Sequence, residues 1–476
     1  MSSFINPYNV SYGKINNSLI NLQIKDIIRM MWPDVSKQDK IINIISSIVY
    51  DKDTIKYRQD ALKDVLFNRD FYYKLYECVN KLEKCYINYS ANASSLSKVK
   101  LKSDTSVTET QVILKDFAYC VQELILIFER LDEIMVGNVT SKAFKELHGK
   151  VKDVLNNKKY QDLKQVMKEI LDSVGSFTFE TVLDERLSSQ VTKYILSTGK
   201  YQGEKISFFK KKNSSGKIDL DSKVMDDFKS LQIDSFYRIV VLLQDIYESL
   251  FEKISYLHHE FLFFEVGIAI YDKFWERSIN SVFPDISDVT EYKKAYDPFL
   301  IVKYLDEGYF EKIYGNDITI TEKNDILVIG NNNSGKTVLL RTIGILQILG
   351  QCGYTVPATY ASIALYESIE TIFSGEEKDT DVGGRFEKEV IEISEIIDNV
   401  NTKSLVIINE IFQSTFASDG EEALFNILNY FSEINVKWIC VSHLLGIAKR
   451  EKMFYNKIDI YNTTGKEKQY KIEKTN

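Results

Sequence analysis

Gly330-Asn331-Asn332-Asn333-Ser334-Gly335-Lys336-Thr337 fits the pattern G-x-x-x-x-G-K-[ST]. Before it stands the apolar run Ile326-Leu327-Val328-Ile329, which predicts a buried strand; after it, Val338-Leu339-Leu340-Arg341-Thr342-Ile343 predicts the start of a helix. Strand, glycine loop and helix N-terminus together make a phosphate cradle. The glycines let the backbone close, its amides point at anionic oxygens, and the helix dipole favours the negative charge. In such a cradle Lys336 is expected to reach the β- and γ-phosphates of ATP, and Thr337 to ligate Mg²⁺ through its hydroxyl.

Composition sets the bounds on everything else. A chain of 476 residues has room for roughly two to four domains and a large core. The net charge of −8 gives no general affinity for polyanions, so any DNA contact must come from a local patch. Five cysteines, Cys78, Cys85, Cys120, Cys352 and Cys440, are scattered without a C-x-x-C pair. That argues against a disulfide framework and against a zinc site, and for a reducing compartment. Cys78 and Cys85, seven residues apart on one helix face, read as buried thiols. The N-terminus has no basic region followed by an apolar one, and no apolar run is long enough to span a bilayer, so a cytoplasmic protein is expected.

Proline supplies the clearest sign of organisation. Only Pro7, Pro33, Pro284, Pro298 and Pro357 occur, leaving Asp34 to Phe283 free of them. That interval predicts long helices. Apolar residues recur at helical spacing in Lys40 to Ile45, Tyr57 to Leu66 and Val112 to Met135, and a further helical pair is expected at Lys142 to Leu155 and Tyr160 to Val174. Between them Tyr89 to Glu109, rich in Ser, Asn, Thr and Lys, predicts a loop. Ser176 to Val182, Val191 to Leu196 and Lys205 to Phe209 are strand-like and predict a small β insertion. From about Leu220 to Val282 helix returns, roughly 60 residues that would reach about 90 Å if straight, or two helices if broken near His258 and His259. The triplets Phe263-Phe264-Glu265 and Phe274-Trp275-Glu276 lie in this stretch and read as core.

Beyond Pro298 strands and helices alternate, which implies an α/β nucleotide-binding domain. The apolar strand Ser404 to Ile408 ends in Asn409-Glu410. In nucleotide hydrolases of this layout the first such position holds Mg²⁺ or its water and the second orients the attacking water. Here Asn409 offers a carbonyl oxygen without the charge, and Glu410 keeps the carboxylate; the alternative is that both merely cap a strand. Trp438 to Val441 is another strand, ending in Ser442-His443, where His443 would face the ligand crevice and could bond a γ-phosphate. Asp381-Val382-Gly383-Gly384-Arg385 places a glycine pair before a helix, a further set of amides for an anion; taken alone it would be an ordinary turn. Lys457 to Glu473 predicts a terminal hairpin around Asn462 to Gly465.

Four of these stretches in order resemble the ATPase domain of the MutS mismatch-repair family. They are Gly330 to Thr337; Gly353-Tyr354-Thr355-Val356-Pro357-Ala358, similar to that family's G-x-x-V-P-A; Asn409 to Gly420, similar to its D-E-I-G-R-G-T-S-T-x-D-G; and Ser442-His443. Asn316-Asp317-Ile318 is similar to the family's N-D-I, which would put Ile313 or Tyr314 against the adenine. Tyr57-Arg58-Gln59-Asp60-Ala61-Leu62 resembles the start of its helical core. The resemblance implies an α+β multidomain chain. An N-terminal extension (1–35) would precede a helical core and lever with a β insertion near 176–217 (36–290), then an ABC-type P-loop ATPase domain (291–476). It further implies ATP and Mg²⁺ as ligands, hydrolysis of ATP to ADP and phosphate, and a homodimer in which Gly383 and Gly384 approach the partner's ATP. The helical core begins so early that no mismatch-reading domain is expected before it, and neither a nuclease nor a dimerisation appendage after His443.

Departures from the family pattern shape the expected activity. Asn409 stands where the family has Asp, Phe412-Gln413 where it has Gly-Arg, and Gly383 where it has a serine that reaches the other subunit's γ-phosphate. ATP binding is therefore the firmer expectation and fast hydrolysis the weaker. The densest basic stretch, Lys205 with Lys210, Lys211 and Lys212, lies where the family's DNA clamp would be; a solvated basic hairpin is the alternative. Two functions follow: an ATPase that couples nucleotide-dependent dimer changes to DNA binding through lever helices, or a nucleotide-gated scaffold for protein partners that hydrolyses ATP slowly or not at all.

Overall fold

The computed structural model describes residues 12–15, 17–100, 107–173, 178–183, 189–195, 222–276, 278–307, 313–331, 333–374, 384–413, 415–464 and 470–475. It is an α+β structure. Contacts divide it into two compact units, one comprising Met1–Phe67, Ser141–Ala143 and Leu262–Asn476, the other Asn68–Thr140 and Phe144–Phe261. Among the described residues no helix is long and apolar enough to cross a membrane.

The first unit opens with α1 (Ser18–Asn21), α2 (Ile24–Met31), α3 (Val35–Ser46) and α4 (Lys52–Phe67). Asp34 starts α3 by accepting the Ser36 amide at 3.0 Å. The second unit holds α5 (Arg69–Lys100), α6 (Val107–Met135), most of α7 (Lys142–Leu155), α8 (Lys158–Ser173), the antiparallel pair β1 (Thr178–Leu183) and β2 (Ser189–Ile195), α9 (Ser222–Phe251) and the start of α10 (Tyr256–Trp275). Here α6 packs against α5, α8 and α9.

One expectation is corrected in the second unit. The stretch from Tyr89 continues α5 as far as Lys100 rather than forming a loop. Its polar composition is overridden by packing: the Tyr89 ring stacks 4.0 Å from that of Tyr247, and Asn92 donates to the Cys120 sulfur at 3.7 Å. Of the two alternatives for Leu220 to Val282 the structure has the broken one, α9 and α10, separated by turns over 252–255, a few residues before His258. The strand-like Lys205 to Phe209 lies outside the described residues. Cys78 and Cys85 are both buried, and burial pushes each thiol up to about 11, away from the reactive range. In the first unit Phe263, Phe264 and Phe274 are core, but Trp275 is 61 % exposed, its ring stacked on that of Tyr271.

The remainder of the first unit is α/β. It runs β3 (Ser281–Val282), β4 (Asp285–Ile286), β5 (Thr290–Ala295), α11 (Pro298–Glu307), β6 (Asn316–Ile320), β7 (Asn324–Ile329), α12 (Lys336–Cys352), β8 (Val356–Pro357), β9 (Tyr360–Ile363) and β10 (Ser368–Phe373). Then come α13 (Arg385–Asn399), β11 (Ser404–Asn409), α14 (Ala417–Glu433), β12 (Lys437–Val441), α15 (Leu445–Lys449), β13 (Lys457–Thr463) and β14 (Ile472–Lys474). The main sheet has the order β10-β11-β12-β7-β13-β14, with every pair parallel except β13 and β14. That antiparallel pair is the terminal hairpin, with a longer connection than a tight turn. A second sheet, β4-β9-β5-β6, lies in the same unit.

Both faces of the main sheet are covered, which is why its strands read as continuous apolar runs rather than alternating ones. Val406, Ile408, Leu327, Trp438 and Cys440 join the cluster formed with Ile393 and Ile396 of α13 and Leu424, Leu428 and Phe431 of α14. Ile407 points the other way, close to Gly344 of α12, as the period-two alternation of a strand requires. All residues of α12 except Thr337 and Val338 are buried, because α3, α4, β8, β11 and β12 surround it. Of the buried polar groups on this helix, Gln351 Nε2 donates to the carbonyls of Val49 at 3.0 Å and Tyr366 at 2.8 Å, while Gln347 Oε1 has no partner among the described residues. Arg58 of α4 is buried and donates to the Cys352 carbonyl at the helix end, 3.2 Å away. The N-terminal segment covers the outer edge of β10, with Ser18 Oγ donating to the Ile369 carbonyl and Asn21 Nδ2 to that of Thr371.

Candidate nucleotide-binding site

Sheet order decides which residues meet. The loop strand β7 and the strand β11 that ends in Asn409 are separated by β12, and all three run the same way. Their carboxyl ends therefore converge, bringing the start of α12, Asn409-Glu410 and Ser442-His443 to one edge, where open α/β sheets bind ligands.

The glycine loop is held in a conformation that only small residues allow. Gly330 has φ 152°, and a Cβ there would lie 2.4 Å from Thr463 Oγ1. Gly335 has φ 92° and caps α12, leaving the first amides of a buried 17-residue helix facing the loop. Asn333 also adopts positive φ, at 60°. Ser334 Oγ hydrogen-bonds Thr463 Oγ1, tying the loop to β13. Asn331 is exposed, and Asn332 lies outside the described residues.

Lys336 is 4 % exposed. Its ammonium donates to the carbonyls of Gly330 and Asn331, each at 3.0 Å, and stands 3.2 Å from Glu410 Oε1. Thr337 Oγ1 donates to Asn409 Oδ1 at 3.2 Å. Two neutral oxygen atoms, one from the first turn of α12 and one from the end of β11, thus sit side by side, a donor set suited to a hard cation that also takes phosphate and water oxygens. Among the described residues no group of three or more His, Cys, Asp or Glu gathers to hold a metal ion alone. These two oxygens and the adjoining cavity fit Mg²⁺ brought by a polyphosphate.

After Asn409 the chain makes a strained turn. Glu410 and Phe412 have φ of 55° and 62°, a costly conformation for side chains of this size. Buried Glu389 of α13 secures it: Oε2 accepts the Phe412 amide at 2.7 Å, and Oε1 accepts Ser374 Oγ at 2.7 Å. The turn brings Gln413 back over Glu410, with Gln413 Nε2 3.1 Å from Glu410 Oε2 and 3.2 Å from His443 Nδ1.

A cavity of about 790 Å³ opens beside the loop, a size that holds a nucleotide. Asn333 to Leu339 and Glu410 line its polar side, while Tyr304, Tyr314, Tyr470 and Asp297 lie on the walls. Tyr314 and Tyr470 rings are 6.0 Å apart, and the Tyr470 carbonyl accepts Asn316 Nδ2 at 3.2 Å. Ile313 is buried and does not line the cavity. His443 and Asn409 do not line it either; His443 is linked to the wall through Gln413 and Glu410. Gly384 is exposed at the N-cap of α13, with open space where a Cβ would stand. Gly383, Lys205, Lys210, Lys211 and Lys212 lie outside the described residues.

Residues 326–474 match the family model of MutS domain V. Over that stretch the chain is similar to MutS proteins. It is 22 % identical to MutS protein homolog 4 of Mus musculus over 87 % of this chain and 47 % of that protein. Identity is 29 % with the DNA mismatch repair protein MutS of Finegoldia magna, over 52 % of this chain and 27 % of that protein. With the endonuclease MutS2 of Caldicellulosiruptor bescii it is 31 %, over 40 % and 24 %. The chain spans about half the length of the MutS homolog 4 relatives it matches. The matched MutS segment begins within β7 and ends within β14, so it contains the loop, the Asn409 turn and His443.

Sequence reasoning found Lys336, Thr337, Asn409, Glu410 and His443 because each ends a strand or opens a helix next to an apolar run. It passed over Tyr470, Asp297, Glu389 and Thr463, which reach the loop from distant segments. A signal existed for Asp297 alone, since Asp-Pro before an apolar stretch is a helix-start signature.

Proposed function

We propose that this chain is a MutS-like protein that binds ATP with Mg²⁺ and hydrolyses it to ADP and phosphate, and that nucleotide-dependent changes of a homodimer are coupled to DNA. Residues 291–476 act as the ABC-type ATPase part, and 36–290 as helical core and lever. The observation that carries the reading is the meeting of the end of β11 with the start of α12: Thr337 Oγ1 beside Asn409 Oδ1 and Lys336 Nζ beside Glu410 Oε1, both pairs at 3.2 Å.

In this reading the amides of the loop and of the first turn of α12 bind the phosphates, and Lys336 moves from its carbonyl partners to the β- and γ-oxygens. Thr337 and Asn409 hold the metal, which supplies charge neutralisation for the leaving diphosphate. Glu410 orients the attacking water and His443 donates to the γ-phosphate. Tyr314, which lines the cavity, lies towards the base. Gly383 and Gly384 offer amides to the partner's ATP. Lys205, Lys210, Lys211 and Lys212 contact DNA phosphates.

The neutral Asn409 favours a second reading, a nucleotide-gated scaffold with slow or no hydrolysis and no direct DNA contact. Phosphate release by the full chain, with and without Mg²⁺ and with and without duplex DNA at low salt, separates the two. Mg²⁺-dependent turnover that DNA alters supports the ATPase; tight ATP binding without turnover or DNA binding supports the scaffold; no ATP binding overturns both.

A further inference from the structure

We infer that Gln413 is a positioning residue that sets the tautomer of His443. This deepens the ATPase reading above and rests on it for its kinetic consequence. Gln413 Nε2 lies 3.1 Å from Glu410 Oε2 and 3.2 Å from His443 Nδ1. A carboxylate paired with a lysine ammonium only accepts hydrogen bonds, so Glu410 fixes the amide orientation with its NH₂ end inward. One amide hydrogen goes to Glu410 and the other to His443. The Nδ1 atom must then carry a lone pair, which leaves the ring proton on Nε2. The imidazole is thereby supplied as a donor from Nε2, the atom not engaged by Gln413.

The surrounding backbone shows why Gln413 can reach both partners. Left-handed φ at Glu410 and at Phe412, with Ile411 between them, folds the chain back on itself, and Glu389 locks that fold by holding the Phe412 amide. A shorter side chain at 413 would reach one partner but not both. An apolar one would free the ring to hold its proton on Nδ1 as well, so a share of the rings would present an acceptor to an anionic oxygen.

The test uses the full chain labelled with ¹⁵N-histidine, without nucleotide and at mildly alkaline pH, with the His443 signals assigned by their loss in His443→Gln. Expected is a bare Nδ1 and a protonated Nε2 in the parent, and mixed tautomers in Gln413→Leu and in Gln413→Met, which keep the side-chain bulk without the amide. Phosphate release in the same variants should fall in kcat in proportion to the rings that lose the Nε2 proton, with little change in KM, since Gln413 does not line the cavity. A protonated Nδ1 in the parent, or an unchanged tautomer in both variants, overturns the inference. If the parent neither binds nor hydrolyses ATP, the ATPase reading fails while the tautomer result stands on its own.

Discussion

Arg341 grips Asp297 with two nitrogens, Nε at 2.8 Å and Nη2 at 2.6 Å from the same carboxylate oxygen, and lays its guanidinium 4.3 Å from the centre of the Phe299 ring. The other oxygen of Asp297 caps α11 by accepting the Phe299 amide at 2.8 Å. Both side chains are buried, so the loop helix α12 and the cavity wall are fastened together by one ion pair. Burial pushes the Asp297 carboxyl above its ordinary value, and Arg341 with the two amides opposes that. Arg341→Met should cost about 3–5 kcal/mol at neutral pH, because it strands a buried charge. With Arg341 gone, the folded-state carboxyl rises further above the unfolded one. The penalty is then full above the folded value, fades as pH falls through it, and is gone below the unfolded one. Urea denaturation at neutral and at acidic pH checks the sign.

Asn409→Asp puts a charge beside Thr337 Oγ1. Metal affinity depends on ligand charge, so the Mg²⁺ concentration giving half-maximal ATP hydrolysis should drop on the order of tenfold, equivalent to about 1.4 kcal/mol. An Mg²⁺ titration of turnover reads this directly. A flat response would remove Asn409 from the metal's surroundings.

Tyr470 reaches the cavity from the terminal hairpin and stands against the glycine loop, where a Cβ on Gly335 would touch its ring at 3.4 Å. Stacking of a base on an aromatic ring is worth about 1–3 kcal/mol. Tyr470→Ala should weaken ATP by roughly that amount and leave tripolyphosphate binding unaltered, as calorimetric titration of the two ligands would reveal.

Glu389→Ala removes the acceptor for the Phe412 amide, which is buried. An orphaned buried donor costs about 1–3 kcal/mol. The larger effect should fall on turnover, since the turn that aims Glu410 loses its lock. Stability from denaturation and kcat from phosphate release, measured on one preparation, will show whether kcat falls further than stability alone explains.

Much of the α/β part was legible because its signals are local. Ile326 to Ile329, Leu405 to Ile408 and Trp438 to Val441 are short apolar runs between turn residues, and the structure makes each a central strand. What sequence could not supply was strand order, and with it the meeting of Thr337 and Asn409 across the intervening β12. That pairing is fixed by packing on both faces of the sheet, which no local window contains. The same reason explains the errors. Tyr89 to Lys100 looks like a loop by composition, yet Tyr89 is clamped by Tyr247 from 158 positions further on, so a tertiary contact outweighs local propensity. Gln413 is unremarkable in sequence and gains meaning only when two left-handed residues, Glu410 and Phe412, turn it back towards His443.

Lys336 already has three partners, the Gly330 and Asn331 carbonyls and Glu410. On the proposed function, arrival of a triphosphate would be an exchange rather than the filling of a vacancy: one set of oxygens would be traded for another around the same ammonium. Net affinity would be the difference between two well-satisfied states, with Glu410 released at the moment the phosphate takes its place. The carboxylate would become free for water only when there is something for that water to attack.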